Sequence, residues 1–478
     1  MIKKSLKLQF FVRKTFEVGS FLFMFLFLPA SYFLLNGQNQ DSLLSDRKFS
    51  GFHEFLKEGE WSFHTRTMAM TTINRKPLLQ YSALATGAGM GYSSPAWNGL
   101  YFGVSGYFIF KLMDQNLGIQ DPLTGVSSRY EATLFDMENP ENAKDLDRLE
   151  ELYAGYRSSK FRLTIGRQIL STPFLNSQDN RMRPNLFSGL STRWYAGHWE
   201  LDISWITGVS PRGTVRWYSM ESSLGVYPFG RNTDGTVSLY KNNIDSKGLG
   251  IASLQRKSEN WNTQWFYYYA HNLFHLTYAD ISKSIPLSHN KISAGLQVFG
   301  QWQSGSGGHH DSAYKYIQEG EKTWGVGGRI MVENMCHQWS INGLYIHDRG
   351  RFLFPREWGR ERFWISLPRE RMEGNGGLWA LTTQWSQTLL HQNMNVVLGS
   401  GVAKTHDFQN ASLNKYGMPS WFHLASHITY ELKGAFEGVQ FESLLVYKRN
   451  LEKQSVPNEF AINRIDLWHF SFIFDYQF

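Results

Sequence analysis

Within the stretch 176–183 the chain sets Asn176, Asp179, Asn180, Arg181 and Arg183 close together. Guanidinium groups that stay charged at any working pH, flanked by neutral amides, are suited to an anion, because each planar fork can give a carboxylate two parallel hydrogen bonds. Asp179 would then orient the arginines or take the amine of a zwitterion. The same pair, Asp179 and Arg181, can instead pin the segment to a neighbouring wall, and the residues leave both readings open. A second group, at 349–375, holds Arg349, Arg351, Arg356, Arg360, Arg362, Arg369 and Arg371 against four Glu and no Lys. Its members can concentrate anions near a mouth or pair with neighbouring acids; Arg369 and Arg371 are the two expected to reach a solute path.

No other chemistry competes with these arginines. The sequence has no GxSxG, HExxH or GxxxxGK, so no hydrolytic serine, zinc-protease helix or phosphate cradle is marked. His309 and His310 are adjacent in a Gly/Ser loop, and Asp114, Asn116 and Gly118 begin like a calcium loop whose later acid is misplaced. The single cysteine, Cys336, excludes an intrachain disulfide framework and a cysteine-built zinc site. The expectation is therefore no catalytic residue, no metal and no cofactor.

Strands must position the arginines. The 478 residues include 17 Trp, 23 Tyr and 35 Phe, far more aromatic side chain than a soluble enzyme usually carries, yet after the N-terminus the apolar residues never form a long run. They alternate instead. Trp468, Phe470, Phe472, Phe474, Tyr476 and Phe478 occupy every second position, with His469, Ser471, Asp475 and Gln477 between them. Successive strand side chains project to opposite faces, so such a segment has an aromatic face and a polar face. Ile292, Ala294, Leu296 and Val298, and Trp324, Val326, Ile330 and Val332, repeat the pattern.

In a soluble sandwich the apolar face would meet a second sheet; in an outer-membrane barrel it meets lipid, and the polar face lines water. Runs of roughly 10 to 14 residues favour the barrel, since a tilted membrane strand needs about 9 to 11. The sequence divides into 18 such runs, an even number that returns both termini to one side. The fold expected is all-β: a transmembrane antiparallel β-barrel of about 18 strands with short periplasmic turns and long extracellular loops. Strand parity sends Ser62, His64 and Arg66 into the lumen, and sets Arg162, Arg329 and Lys433 opposite apolar neighbours as rungs of a basic wall.

Residues 1–37 read as a signal peptide, with Lys3, Lys4, Lys7, Arg13 and Lys14 ahead of an apolar core at 21–35 that is too short for a spanning helix. Residues 38–58 would be an N-terminal periplasmic segment, and 59–478 the barrel. The leader supplies four of the seven net positive charges, so the basic balance gives no ground for nucleic-acid binding.

The segment GRQILSTPFLNSQDNRMRPNLFSGL at 166–190 resembles the third strand-loop unit of the OprD-like outer-membrane porin family. EWGRERF at 357–363 with LPRERMEGNGG at 367–377 is similar to the long seventh loop of such porins, of the Bacteroidetes type, and the first strand at 59–74 also fits. The resemblance implies an 18-stranded channel for facilitated diffusion of small, often carboxylate-bearing solutes, narrowed by inward-folded loops and an arginine-rich pore wall. Asn176, Asp179, Asn180, Arg181 and Arg183 would then belong to a constriction loop at 169–191, and 349–375 to a second long loop. Expected partners are the bilayer and lipopolysaccharide of a Gram-negative outer membrane, the barrel-assembly machinery through Phe478, and small solutes, with the chain a monomer or loose trimer. An insertion at 112–149, with eight acids against three bases, has no counterpart in the resemblance. The other functions weighed are an outer-membrane β-barrel hydrolase, which needs a Ser, His and acid gathered together, and a soluble secreted glycan-binding β-protein using its many Trp as sugar platforms.

Overall fold

The alternation becomes wall along almost every run. The computed structural model describes residues 49–178, 180–389 and 393–478. Its strands are β1 (Glu60–Asn74), β2 (Tyr81–Ser93), β3 (Leu100–Gln115), β4 (Arg148–Arg157), β5 (Phe161–Gln168), β6 (Leu186–Ala196), β7 (Trp199–Ser210), β8 (Tyr218–Ser219), β9 (Leu249–Lys257), β10 (Trp261–Ala270), β11 (Phe274–Pro286), β12 (Lys291–Gln303), β13 (Lys322–Glu333), β14 (His337–Ile346), β15 (Leu378–Leu389), β16 (Met394–Lys404), β17 (Trp421–Glu431), β18 (Val439–Asn450) and β19 (Leu467–Gln477). β8 is a two-residue ladder on β7; the other 18 pair antiparallel in chain order. β1 pairs with both β2 and β19, so the wall closes without a free edge. Closure satisfies every ladder N–H and C=O inside the protein, which hydrocarbon cannot do.

The two faces follow the sequence. On β19 the outward residues Trp468, Phe472 and Phe474 are exposed, as is Phe478 just beyond it, while His469, Ser471 and Asp475 are buried inside. On β1 the odd residues Trp61 and Phe63 are exposed and Arg66, Met68, Met70 and Thr72 are buried, with His64 facing Asp475. Arg66 crosses the closing seam: its Nε and Nη2 donate to the two carboxylate oxygens of Asp475, each at 2.7 Å. A buried pair of this kind is held because removing one partner strands the other charge. Greasy side chains facing outward and polar ones facing a lumen are the opposite of a soluble sandwich, so the glycan-binding β-protein is not the fold.

The lumen is not evenly open. Connections at the side away from the termini fold inward and fill it with two apolar clusters. One joins Phe266, Tyr268, Phe274, Tyr278 and Phe299 of the wall to Phe174, Phe352, Phe354, Trp358 and Phe363 of the loops. The other joins Met68, Met70, Tyr107, Ile109 and Ile473 of the wall to Tyr130, Leu134, Phe135, Leu146 and Met182. Toward the short turns the inward wall turns polar, with Ser284, Ser293, Ser340, Ser386, Thr388 and Thr429. The acidic insertion enters the barrel at its middle: its turn Glu131–Leu134 is buried against β1 and β2, while much of the stretch on either side is exposed.

Three boundaries differ from the sequence expectation. β6 begins at Leu186 rather than near 192, because small Ser188 and Gly189 interrupt its apolar alternation; the constriction loop is therefore 169–185 and not 169–191. The long loop spans 347–377 rather than 349–375. Lys433 is not a wall residue: β17 ends at Glu431, and Lys433 is exposed in the short turn before β18. The signal peptide, residues 38–48 of the N-terminal segment and Asp179 lie outside the described residues. The described part of the N-terminal segment holds the helix Phe52–Lys57, which packs on the outer wall: Phe55 lies on Trp97 with ring centres 5.4 Å apart, and Tyr92 Oη donates to the carbonyl of Leu56 at 2.8 Å.

Candidate functional site

Loops 169–185 and 347–377 meet inside the barrel between the two apolar clusters. The meeting is built by backbone. Asn176 Nδ2 donates to the carbonyl of Arg360 at 2.8 Å and its Oδ1 accepts the amide of Arg360 at 3.4 Å. The amide of Arg362 donates to the carbonyl of Pro173 at 3.0 Å. The chains cross so closely at Gly359 that a Cβ there would lie 2.0 Å from the carbonyl oxygen of Phe174, which only glycine permits. Phe174 then inserts into the larger cluster, its ring 5.4 Å from Tyr268, 5.5 Å from Tyr278 and 5.3 Å from Phe354.

Beside this crossing is a cavity of about 440 Å³. Asn176, Ser177, Gln178 and Asn180 line it from the first loop, 360–364 and Ser366 from the second, and Arg329 of β13 and Gln384 of β15 from the wall. The second loop runs extended here, and its side chains alternate as a strand's would. Glu361, Phe363, Ile365 and Leu367 are buried, whereas Arg360, Arg362, Trp364 and Ser366 are not. The carboxylate of Glu361 turns back to accept the amides of Met372 and Glu373. The acid is thereby spent on its own loop and the arginines keep a net positive face.

The three arginines of the cavity differ in freedom. Arg329 Nε donates to Asn342 Oδ1 at 2.9 Å, and its guanidinium lies 5.6 Å from the ring centre of Trp364. Arg360 donates through Nη2 to the carbonyl of Leu367 at 2.5 Å, while its Nε has no partner among the described residues. Arg362 is exposed to the lumen, and no group among the described residues pairs with its guanidinium. Trp364 is seated by its amide on Gln297 Oε1 at 3.1 Å and by Gln384 Nε2 on its carbonyl at 3.1 Å. Its ring covers Gly295, where a Cβ would lie 2.4 Å from it.

The arginines expected at the constriction from sequence have other partners. Arg181, 2% exposed, donates through Nε to Thr133 Oγ1 and through Nη1 to the carbonyl of Asn180 at 2.7 Å, while Arg66 Nη1 reaches its own carbonyl at 2.5 Å. Arg183 is fully buried and donates to the carbonyl of Leu146 at 3.1 Å; burial beside Arg148 pushes its guanidinium down to about 9. Arg369 adopts a left-handed backbone, φ +61°, and donates to His469 Nε2 at 2.9 Å and Ser471 Oγ at 2.8 Å. Burial, with Arg212 nearby, lowers it to about 9. Arg371 ties the loops, donating to Gly359 O at 2.7 Å and Gln178 Oε1 at 3.0 Å. Asn176 and Asn180 do face the cavity. Of the expected wall residues, Arg329 reaches it, Arg162 donates to Tyr101 Oη at 3.1 Å, and His64 and Arg66 sit by Asp475.

Sequence reasoning missed Ser177, Gln178, Trp364 and Gln384, left Arg360 and Arg362 without a cavity role, and did not single out Arg212. Arg212 stands behind the crossing, donating to Gln178 O at 3.1 Å and to Asn180 Oδ1. Period two inside the extended run 360–366 was the available signal for Arg360, Arg362 and Trp364.

The structure does gather a serine, a histidine and an acid. Ser471 Oγ lies 3.0 Å from His469 Nε2, and Glu131 3.7 Å from His469 Nδ1. All three are buried, and Nε2, which would have to take the serine proton, already accepts from Arg369. Nδ1 then carries the proton and donates to Thr72 Oγ1 at 2.9 Å, and Thr72 donates to Glu131. The set is a bracket holding loop 347–377 to the seam, not a hydrolytic site.

Farther out, Lys415 locks the loops over the lumen. Its Nζ lies 4.5 Å from the ring centre of Tyr316, 4.9 Å from Tyr240 and 5.6 Å from Tyr416. Burial pushes this amine down to about 8.

Residues 122–323 match the family described as outer membrane porin, OprD family. No curated protein sequence matches. Among solved structures, Pseudomonas aeruginosa OccK9 (OpdG) is similar with a TM-score of 0.69 at 11% identity, over 88% of this chain and 99% of that one. Acinetobacter baumannii OccAB2 gives 0.69 at 13% identity, over 89% and 98%. Pseudomonas aeruginosa OpdK, determined with vanillate, gives 0.67 at 13% identity, over 89% and 99%. At such identities these likenesses establish the fold. Residues 122–323 of this chain are thus similar to the OprD family of outer membrane porins, and the whole barrel shares the fold of the porins compared.

Proposed function

We propose that this barrel admits small anionic or zwitterionic carboxylate-bearing solutes by facilitated diffusion, past the cavity between loops 169–185 and 347–377. The observation that carries the reading is Arg362: a guanidinium exposed to the lumen, without a partner among the described residues, on a face from which the neighbouring carboxylate of Glu361 is turned away. A carboxylate shedding water at the narrowing regains there the two-pronged hydrogen bonding that water gave it. Arg360 and Arg329 add positive potential, and the amides of Asn176, Gln178, Asn180 and Gln384 can take hydroxyls or an amine. The face of Trp364 offers apolar contact to a solute that has a ring. The relative OpdK, determined with vanillate, is consistent with a ring-bearing carboxylate. The step requires neither ATP nor cofactor.

Planar-bilayer recording of the purified mature chain tests this reading. Discrete conductance steps, anion-favouring and blocked by added carboxylate solutes but not by neutral analogues of the same size, are expected. A silent membrane, or block that ignores the carboxylate, would defeat it.

A further inference from the structure

We propose that the outer wall holds a net-anionic phospholipid of the periplasmic leaflet at a patch formed by Trp199, Arg256, Trp261 and Lys283. The four residues stand at the ends of β7, β9, β10 and β11 nearest the short turns 197–198 and 258–260, the side on which a porin meets the periplasm. Register makes them neighbours: Trp199 pairs with Arg256, and Trp261 with Lys283. Each cation rests on an indole, Arg256 at 5.4 Å from Trp199 and Lys283 at 5.2 Å from Trp261. Both indoles are themselves exposed. Strand alternation turns these four positions outward, on the face that carries Leu201, Leu254, Trp265 and Ile281.

Lys283 is the telling member. It is exposed between Ile281 and Ile285 on its own strand, with Ala294 opposite on β12, so apolar surface continues one step beyond it toward the periplasm. A cation on a lipid-facing wall is costly unless a counter-charge meets it. No outward position of β7, β9, β10, β11 or β12 is acidic, and neither cation has an ion-pair or hydrogen-bond partner among the described residues; Glu259, in the adjoining turn, pairs with neither. The headgroup phosphate supplies the missing charge. The two indoles occupy the depth where a headgroup joins its acyl chains. Lipopolysaccharide belongs to the opposite leaflet, so the occupant is a glycerophospholipid.

Native mass spectrometry of the mature chain, released from micelles holding equal amounts of phosphatidylglycerol and phosphatidylcholine, tests the patch. The wild type is expected to keep phosphatidylglycerol at least about five-fold over phosphatidylcholine. The double variant Arg256→Gln, Lys283→Gln should lose that preference. Arg167→Gln, which removes an outward base at the far end of β5, should retain it. Equal retention of the two lipids by the wild type overturns the proposal, and so does a preference that survives in the double variant.

Discussion

Replacing Arg362 with Gln should raise the concentration of a carboxylate solute needed for half-block of the channel about ten-fold, and Arg362→Glu should reverse the preference for anions outright. The magnitude follows from the chemistry of the contact. A hydrogen bond to a charged group is worth about 1.5–3 kcal/mol, and a ten-fold change in affinity corresponds to about 1.4 kcal/mol. The neutral amide keeps one donor and loses the charge, which puts Gln at the low end. Glu goes further, because two unit charges about 4 Å apart interact by about 4 kcal/mol at the dielectric of a protein surface, now with the opposite sign for an entering anion. Reversal potentials across a salt gradient measure both variants. Since Arg362 pairs with nothing among the described residues, neither change should disturb the barrel, and heat-modifiable migration should match the wild type. The corresponding changes at Arg369 or Arg181, whose guanidiniums are bound into the loops, should destabilise the protein instead of retuning selectivity.

The second large effect belongs to Phe174. Phe174→Ala removes a buried ring from among Tyr268, Tyr278, Phe352, Phe354 and Phe363, a change that typically costs about 3–5 kcal/mol. The loss falls on one place, because this ring is what holds loop 169–185 against the long loop while the wall is sustained by its own ladders. The expected outcome is a loop that leaves the crossing: single-channel conductance rises, selectivity falls, and the barrel still migrates as a folded species. Phe174→Leu, which keeps most of the apolar volume, should restore a near-native conductance. An unchanged conductance in Phe174→Ala would mean that the backbone hydrogen bonds at Asn176 and Pro173 suffice to seat the loop.

The wall was legible in the residues because lipid on one side and water on the other impose period two directly, and Trp468 to Phe478 display it without interruption. Even the inward placement of His64 and Arg66 followed from parity. Where small residues dilute the contrast, as at Ser188 and Gly189, the edge of β6 was lost. The lumen was far less legible. The fate of an arginine in a loop depends on which carbonyls reach it, and those come from distant parts of the chain: Leu146 for Arg183, His469 for Arg369. Grouping the basic residues by charge and proximity therefore selected Arg181, Arg183, Arg369 and Arg371, which the fold uses as ties. Reading parity into the loop would have served better, since Arg360, Arg362 and Trp364 share one side of an extended run and Glu361 takes the other. Arg212 had no such signal. It sits in a long connection whose other bases are scattered, and only the tertiary fold brings it to Gln178.

The central claim, a water-filled path past Arg362 between the two loops, is tested most directly by thiol accessibility. With the exposed Cys336 changed to Ser, the single thiol of an Arg362→Cys channel should react with a small anionic methanethiosulfonate added to either compartment, and each reaction should lower the conductance in one step. A thiol at 362 that stays unreactive from both sides of an open channel would contradict the account.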